Sequence, residues 1–141
     1  MNEKRYHELH NLPKVLSNNE IFCALEGQQK GFNGRGIFKE NEKFTVIQNR
    51  KGHKRKLLSY VLKNNKDGIV IRVDLIGRTH NGIPTPHVHI YDENHNNGVD
   101  AIPLSMLETY SPCTESIQSL SEFLKYNKFL VSNLQISEVL V

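Results

Sequence analysis

Ile69-Val70-Ile71-Arg72-Val73-Asp74-Leu75-Ile76 is followed, after the loop 77–86, by His87-Val88-His89-Ile90-Tyr91. Both runs are rich in β-branched and aromatic residues, and successive side chains in a strand point to opposite faces. In the first run Ile69, Ile71, Val73 and Leu75 share one face, while Val70, Arg72, Asp74 and Ile76 share the other. In the second, His87, His89 and Tyr91 share a face opposite Val88 and Ile90. The loop between them holds Gly77, Gly82, Pro84 and Pro86, which is turn chemistry. Two such strands are expected to pair antiparallel, and the obvious register puts Arg72 and Asp74 on the face of His87, His89 and Tyr91.

The same reading extends outward in both directions. Asn64-Asn65-Lys66-Asp67-Gly68 is a turn, preceded by the apolar run Leu57 to Leu62 and, earlier, by the β-formers Phe44 to Gln48. Asn94 to Gly98 is a second turn. Val99 to Leu104 then reads as a strand, with Pro103 marking its edge. Residues 30–105 therefore predict an antiparallel meander of about five or six strands. At the N-terminal end, residues 1–25 read as a helical segment: Tyr6, Leu9, Leu12, Val15 and Leu16 recur at helical spacing, interrupted at Pro13. At the other end, 111–127 predicts a helix with Ser111 as cap and Pro112 in its first turn. Ile117, Leu120, Phe123 and Leu124 form its buried stripe against one sheet face. The tail 128–141 is compatible with a strand or a short helix. The expectation is one α+β domain, 1–141.

Composition narrows the class. The 141 residues carry 18 Lys+Arg against 15 Asp+Glu, a net charge of +3. No apolar run approaches the ~20 residues of a membrane span. The opening Met1-Asn2-Glu3-Lys4-Arg5 is charged from the start, so no signal peptide is expected. Two cysteines, Cys23 and Cys113, make no disulfide framework, so a cytoplasmic location is expected. Abundant Asn, Lys and Ile with no Trp suggest a low-GC genome.

Pro84-Thr85-Pro86-His87-Val88-His89-Ile90-Tyr91-Asp92-Glu93 is the strongest candidate for chemistry. Metal-free RNA cleavage needs a base, an acid and a cation for phosphate, and histidine titrates near neutrality. His87 and His89 are the candidate acid–base pair, supported by Arg72, Asp74 and Tyr91, with Arg78 as a second phosphate-holding cation. No resident cofactor is expected. The alternative is a divalent metal held by His87 and His89, with His80, Asp92, Glu93 or His95 as third ligand. Two His-based families fail on pattern. Histidine-triad hydrolases need a third His where Tyr91 stands, and two-histidine phosphoesterases need paired His-x-Ser/Thr motifs. Separately, Arg50-Lys51-Gly52-His53-Lys54-Arg55-Lys56 places Arg50, Lys51, Lys54, Arg55 and Lys56 on one connection between strands. That tip suits a phosphate backbone or a solvated edge. Gly31-Phe32-Asn33-Gly34-Arg35-Gly36 lacks the ending of a phosphate loop and reads as a hairpin or mobile loop.

The stretch 69–104 resembles an uncharacterised family of small proteins from Gram-positive bacteria, their phages and integrated elements. The likeness rests on the strand Val70 to Leu75, the core Pro84 to Tyr91 (Pro-x-Pro-His-x-His-Ile-Tyr), Pro103-Leu104 and the helix around Phe123-Leu124-Lys125-Tyr126. It implies an α+β fold and a mobile-element setting, and no reaction. The resulting expectation is a nucleic-acid-directed protein, in its sharpest form a small RNase-like toxin or defence effector. The alternative is a non-enzymatic anti-defence inhibitor or antitoxin that binds a host defence or toxin protein. A metal-binding enzyme comes third. The position of the histidines discriminates among them: open and convergent for chemistry, buried and satisfied for structure.

Overall fold

Strand pairing follows the order of the chain almost throughout. In a computed structural model, which describes residues 1–140, helix α1 (Glu3–Asn11) is followed by β1 (Lys14–Leu16), β2 (Glu20–Phe22), β3 (Gln29–Gly36), β4 (Lys43–Asn49), β5 (Leu58–Asn64) and β6 (Gly68–Ile76). Then come β7 (His87–Ile90), β8 (Ala101–Pro103), helix α2 (Ser116–Tyr126) and β9 (Gln135–Ser137). The main sheet has seven strands in the order β1-β3-β4-β5-β6-β7-β8, and β2 pairs with β9 in a separate two-stranded sheet. All pairs in the main sheet are antiparallel, whereas β2 and β9 run parallel. The α+β meander holds, but with seven strands in place of the expected five or six.

The extra strands come from segments whose local signals point elsewhere. Val15 and Leu16 continue the helical spacing of α1, yet they lie in β1, because Pro13 closes the helix and Gly34 to Gly36 offer a partner edge. The glycine-rich stretch 31–36 is strand β3, not a hairpin or mobile loop. Its glycines permit close approach: a Cβ on Gly34 would lie 2.7 Å from the Val15 carbonyl oxygen. Helix α2 begins later than expected. Its cap is Glu115, whose carboxylate accepts from the Ile117 and Gln118 amides, so Ser111 and Pro112 lie outside it. Within the tail, Gln135–Ser137 settles the open choice as a strand. Among the described residues, no helix is long and apolar enough to cross a membrane.

Register sorts the side chains. The rows Phe32–Val46–Leu62–Ile71–Ile90 and Gln48–Tyr60–Val73–Val88–Ile102 face the core. Both helices contribute to the same core through Tyr6, Leu9, Leu120, Phe123 and Leu124. The Phe123 ring stacks on Tyr60 at 5.3 Å, and the Tyr60 hydroxyl meets Ser119 Oγ at 2.6 Å. Each such buried aromatic or Leu adds about 1.5–3 kcal/mol. The opposite face carries Arg35–Lys43, Asn33–Thr45–Lys63, Ile47–Val61–Arg72–His89 and Asn49–Ser59–Asp74–His87.

Candidate functional site

Arg72 lies opposite His89, and Asp74 opposite His87, across the β6–β7 ladder. The pairing brings Asp74, His87 and His89 into one cluster, with one nitrogen or oxygen of each within 4.8 Å of the others. His87 Nε2 lies 2.8 Å from Asp74 Oδ2, and His89 Nε2 lies 3.4 Å from the same oxygen. The other carboxylate oxygen, Oδ1, accepts from Arg72 Nε at 2.7 Å. Strand β7 is buried on both faces; His87 is 1% exposed and His89 6%.

The remaining ring nitrogens fix the tautomers. His87 Nδ1 is 3.1 Å from the Ile83 carbonyl, and His89 Nδ1 is 2.8 Å from the Gly98 carbonyl. A carbonyl can only accept, so both Nδ1 atoms donate and both Nε2 atoms turn to Asp74. Burial lowers the pKa of His89 below its ordinary value, against smaller opposing effects of the Gly98 carbonyl and Asp74. The Gly98 carbonyl is aimed by three successive residues in left-handed conformation, Asn96 (φ 51°), Asn97 (φ 50°) and Gly98 (φ 88°). His80 completes the surroundings. Its ring lies 4.9 Å from that of His89, while Nε2 donates to the Val99 carbonyl at 2.7 Å.

Arg72, Asp74, His87 and His89 thus meet as the alternation implies. Tyr91 lies just past the end of β7, with its ring against Gly98. The expected third ligands for a metal lie elsewhere or are otherwise engaged. His95 Nδ1 pairs with Asp92 Oδ1 at 2.6 Å, Glu93 accepts from the Glu3 amide, and His80 stays outside the cluster. The third convergent group is Asp74. The register that places it beside the histidines was readable from the sequence, but the carbonyl partners Ile83 and Gly98 were not.

A second constellation is basic. Strands β4 and β6 end where β5 and β7 begin, so the loops 50–57 and 77–86 leave the same end of the sheet. Lys51, Lys54, Arg55, Lys56 and Arg78 are exposed there. Among the described residues, none of them, nor Arg50, forms an ion pair. Arg50 is drawn inward: Nη1 donates to the Ala24 carbonyl at 2.7 Å. Arg50 and Lys56 also line a cavity of about 210 Å³ together with Glu115 and Glu138. The outer sheet face adds a groove of about 550 Å³ lined by Asn33, Arg35, Lys43, Thr45, Lys63 and Asn65. The sequence reading missed Arg35, Lys43 and Lys63. Their signal was the alternation along β3, β4 and β5, in which each is flanked in its strand by a buried residue. Within the strands of the main sheet, Asp74 is the single carboxylate among the described residues.

Residues 1–129 match the family described as a family of unknown function (DUF6978), and the chain belongs to that family. No curated protein and no solved structure matches it.

Proposed function

We propose that this member of the family is a nucleic-acid-binding protein that grips the phosphate backbone with the outer face and loop end of its sheet. One observation carries the reading. Among the described residues, Arg35, Lys43 and Lys63 on that face, with Lys51, Lys54, Arg55 and Arg78 at its end, stand without ion pairs on a sheet whose one strand carboxylate, Asp74, is already engaged. Unpaired cations on one surface attract polyanions and release counterions when they bind. Phe44, the aromatic ring that lines the groove, is itself buried, so recognition falls on phosphate more than on base identity. The burial and full engagement of His87 speak against metal-free acid–base cleavage, because neither ring nitrogen is free for a substrate proton. The mobile-element setting we attach to this reading rests on the likeness of residues 69–104.

The test is fluorescence polarisation with labelled RNA and DNA oligonucleotides at two salt concentrations, beside a cleavage assay. Wild-type protein is expected to bind in a salt-sensitive way and to leave RNA uncut. Lys54→Gln/Arg55→Gln/Lys56→Gln and Arg35→Gln/Lys43→Gln/Lys63→Gln should each weaken binding about tenfold or more. Absence of binding at ~50 mM salt, or undiminished affinity in both triple variants, would sink the proposal. Cutting that disappears in His87→Gln/His89→Gln would restore the catalytic reading.

A further inference from the structure

We infer that Asp74, His87 and His89 form a binding site for one divalent first-row transition-metal ion, with Zn²⁺ the best match. This goes beyond the nucleic-acid reading and does not depend on it.

Asp74, His87 and His89 turn their ligand atoms toward one buried point. His87 Nε2, His89 Nε2 and Asp74 Oδ2 converge, yet each histidine has already committed its Nδ1 hydrogen to a backbone carbonyl. The nearest guanidinium serves the other carboxylate oxygen, Oδ1. Three groups able to ligate a metal, one atom of each within 4.8 Å of the others, therefore share one buried place.

The spacing of the three groups suits a transition-metal ion. Zinc holds His nitrogen and carboxylate oxygen at ~2.0–2.2 Å, so two ligands of a tetrahedral ion lie about 3.3 Å apart. The observed separations from Asp74 Oδ2, 2.8 and 3.4 Å, bracket that value. Small side-chain adjustments admit an ion.

Each of the three groups is also held by a further partner. Histidines that bind metal usually donate their other N–H to a carbonyl or carboxylate, and a ligating carboxylate is itself hydrogen-bonded. All three groups meet this condition, through Ile83, Gly98 and Arg72. A chance His-x-His on a polar strand face has no reason to recruit three such partners. Two imidazoles and one carboxylate favour Zn²⁺, Co²⁺ or Ni²⁺ over Mg²⁺ and Ca²⁺, which prefer all-oxygen sites. Three protein ligands leave a further coordination position for water or a ligand atom. The ion would join β6 to β7 and, through Ile83, brace the loop that carries Arg78.

The experiment titrates chelator-treated protein with ZnCl₂ by calorimetry and follows thermal unfolding with Zn²⁺, Co²⁺, Ni²⁺ and Mg²⁺. One Zn²⁺ per chain is expected, with a raised unfolding midpoint that Mg²⁺ does not reproduce. Asp74→Asn and His89→Gln should weaken Zn²⁺ binding by more than the ~10–100-fold that loss of an outer partner costs. His7→Ala, at an exposed histidine, should bind as wild type does. Because those site variants risk unfolding, imidazole ¹⁵N spectra of the wild-type protein supply a second reading. Zn²⁺ should move the Nε2 signals of His87 and His89 and leave both Nδ1 atoms protonated. No saturable binding of any of the three transition metals, or Nε2 shifts confined to His7 and His53, overturns the proposal.

Discussion

At the scale of the residue, Gly98 shows how little room surrounds the His–Asp cluster. Its φ is +88°, and a Cβ there would lie 2.5 Å from the Tyr91 ring. Gly68 has a similar φ, +77°, with nothing within 4 Å of a built Cβ. The pair separates backbone strain from crowding. Gly68→Ala is expected to cost about 1 kcal/mol, the penalty of a side chain in the left-handed region. Gly98→Ala should cost about 1–3 kcal/mol more, because the ring must move as well. Urea denaturation of both variants checks this, and equal losses would mean that the Tyr91 ring yields freely. Gly98 also explains what was legible here. Alternation along 69–76 and 87–91 suffices to gather Arg72, Asp74, His87 and His89 on one face. The aim of the Gly98 carbonyl depends on three successive left-handed residues. Asn96-Asn97-Gly98 announces a turn without saying where its carbonyl points.

At the scale of the element, the two helices are tied down by ionic groups as well as by apolar faces. Arg5 on α1 reaches Glu42 at 2.7 Å and Asp67 at 2.8 Å, linking the helix to the β3–β4 and β5–β6 connections. The Arg5 guanidinium, against the opposing effect of burial, holds the Glu42 carboxyl at about 2, below its ordinary 4.5. A carboxyl depressed in the fold contributes stability above its unfolded value and loses it as pH falls toward the folded one. The unfolding midpoint should therefore drop between pH 4.5 and 2, and Glu42→Gln should flatten that drop. A steeper fall in the variant would show that other carboxylates govern the acid limb. Lys14, at the start of β1, is fully buried and donates to the carbonyls of His10, Leu12 and Asn127 at 3.0, 3.0 and 2.6 Å. It joins the end of α1 to the end of α2. Lys14→Met removes all three donations and should cost about 2–4 kcal/mol in denaturant unfolding. A neutral outcome would mean that desolvation of the ammonium cancels its bonds. None of this was visible along the chain. A lysine after a proline reads as exposed, and β1 and β2 take their partners from residues 34–36 and 135–137, far away in sequence.

At the scale of the whole molecule, the distribution of charge matters more than its sum. A net charge of +3 does not distinguish a nucleic-acid binder from an ordinary soluble domain. Within the strands of the main sheet the signs are separated: among the described residues they present Arg35, Lys43, Lys63 and Arg72 on the outer face with Asp74 as the one carboxylate, and Glu42 and Asp67 on the adjoining connections are paired with Arg5. The basic loop was readable as a run of cations, but the groove was not. Its three cations are spread over β3, β4 and β5, and only pairing brings them together. This separation makes a quantitative prediction. For a phosphate-directed binder, log K falls with log salt at about 0.9 per phosphate neutralised on duplex and about 0.7 on a single strand. The loop triple variant Lys54→Gln/Arg55→Gln/Lys56→Gln should lower that slope by up to roughly 2–3 if every removed cation engages a phosphate. Lys56 shares its cavity with Glu115 and Glu138, so the observed change should fall toward the lower end. The groove triple variant should lower the slope by a similar amount, and the two reductions should add when both surfaces follow one backbone. Polarisation titrations across a salt series measure both slopes. A loop variant that binds more weakly at an unchanged slope would mean that the loop acts through the shape of the sheet end. Its charges would then not meet phosphate.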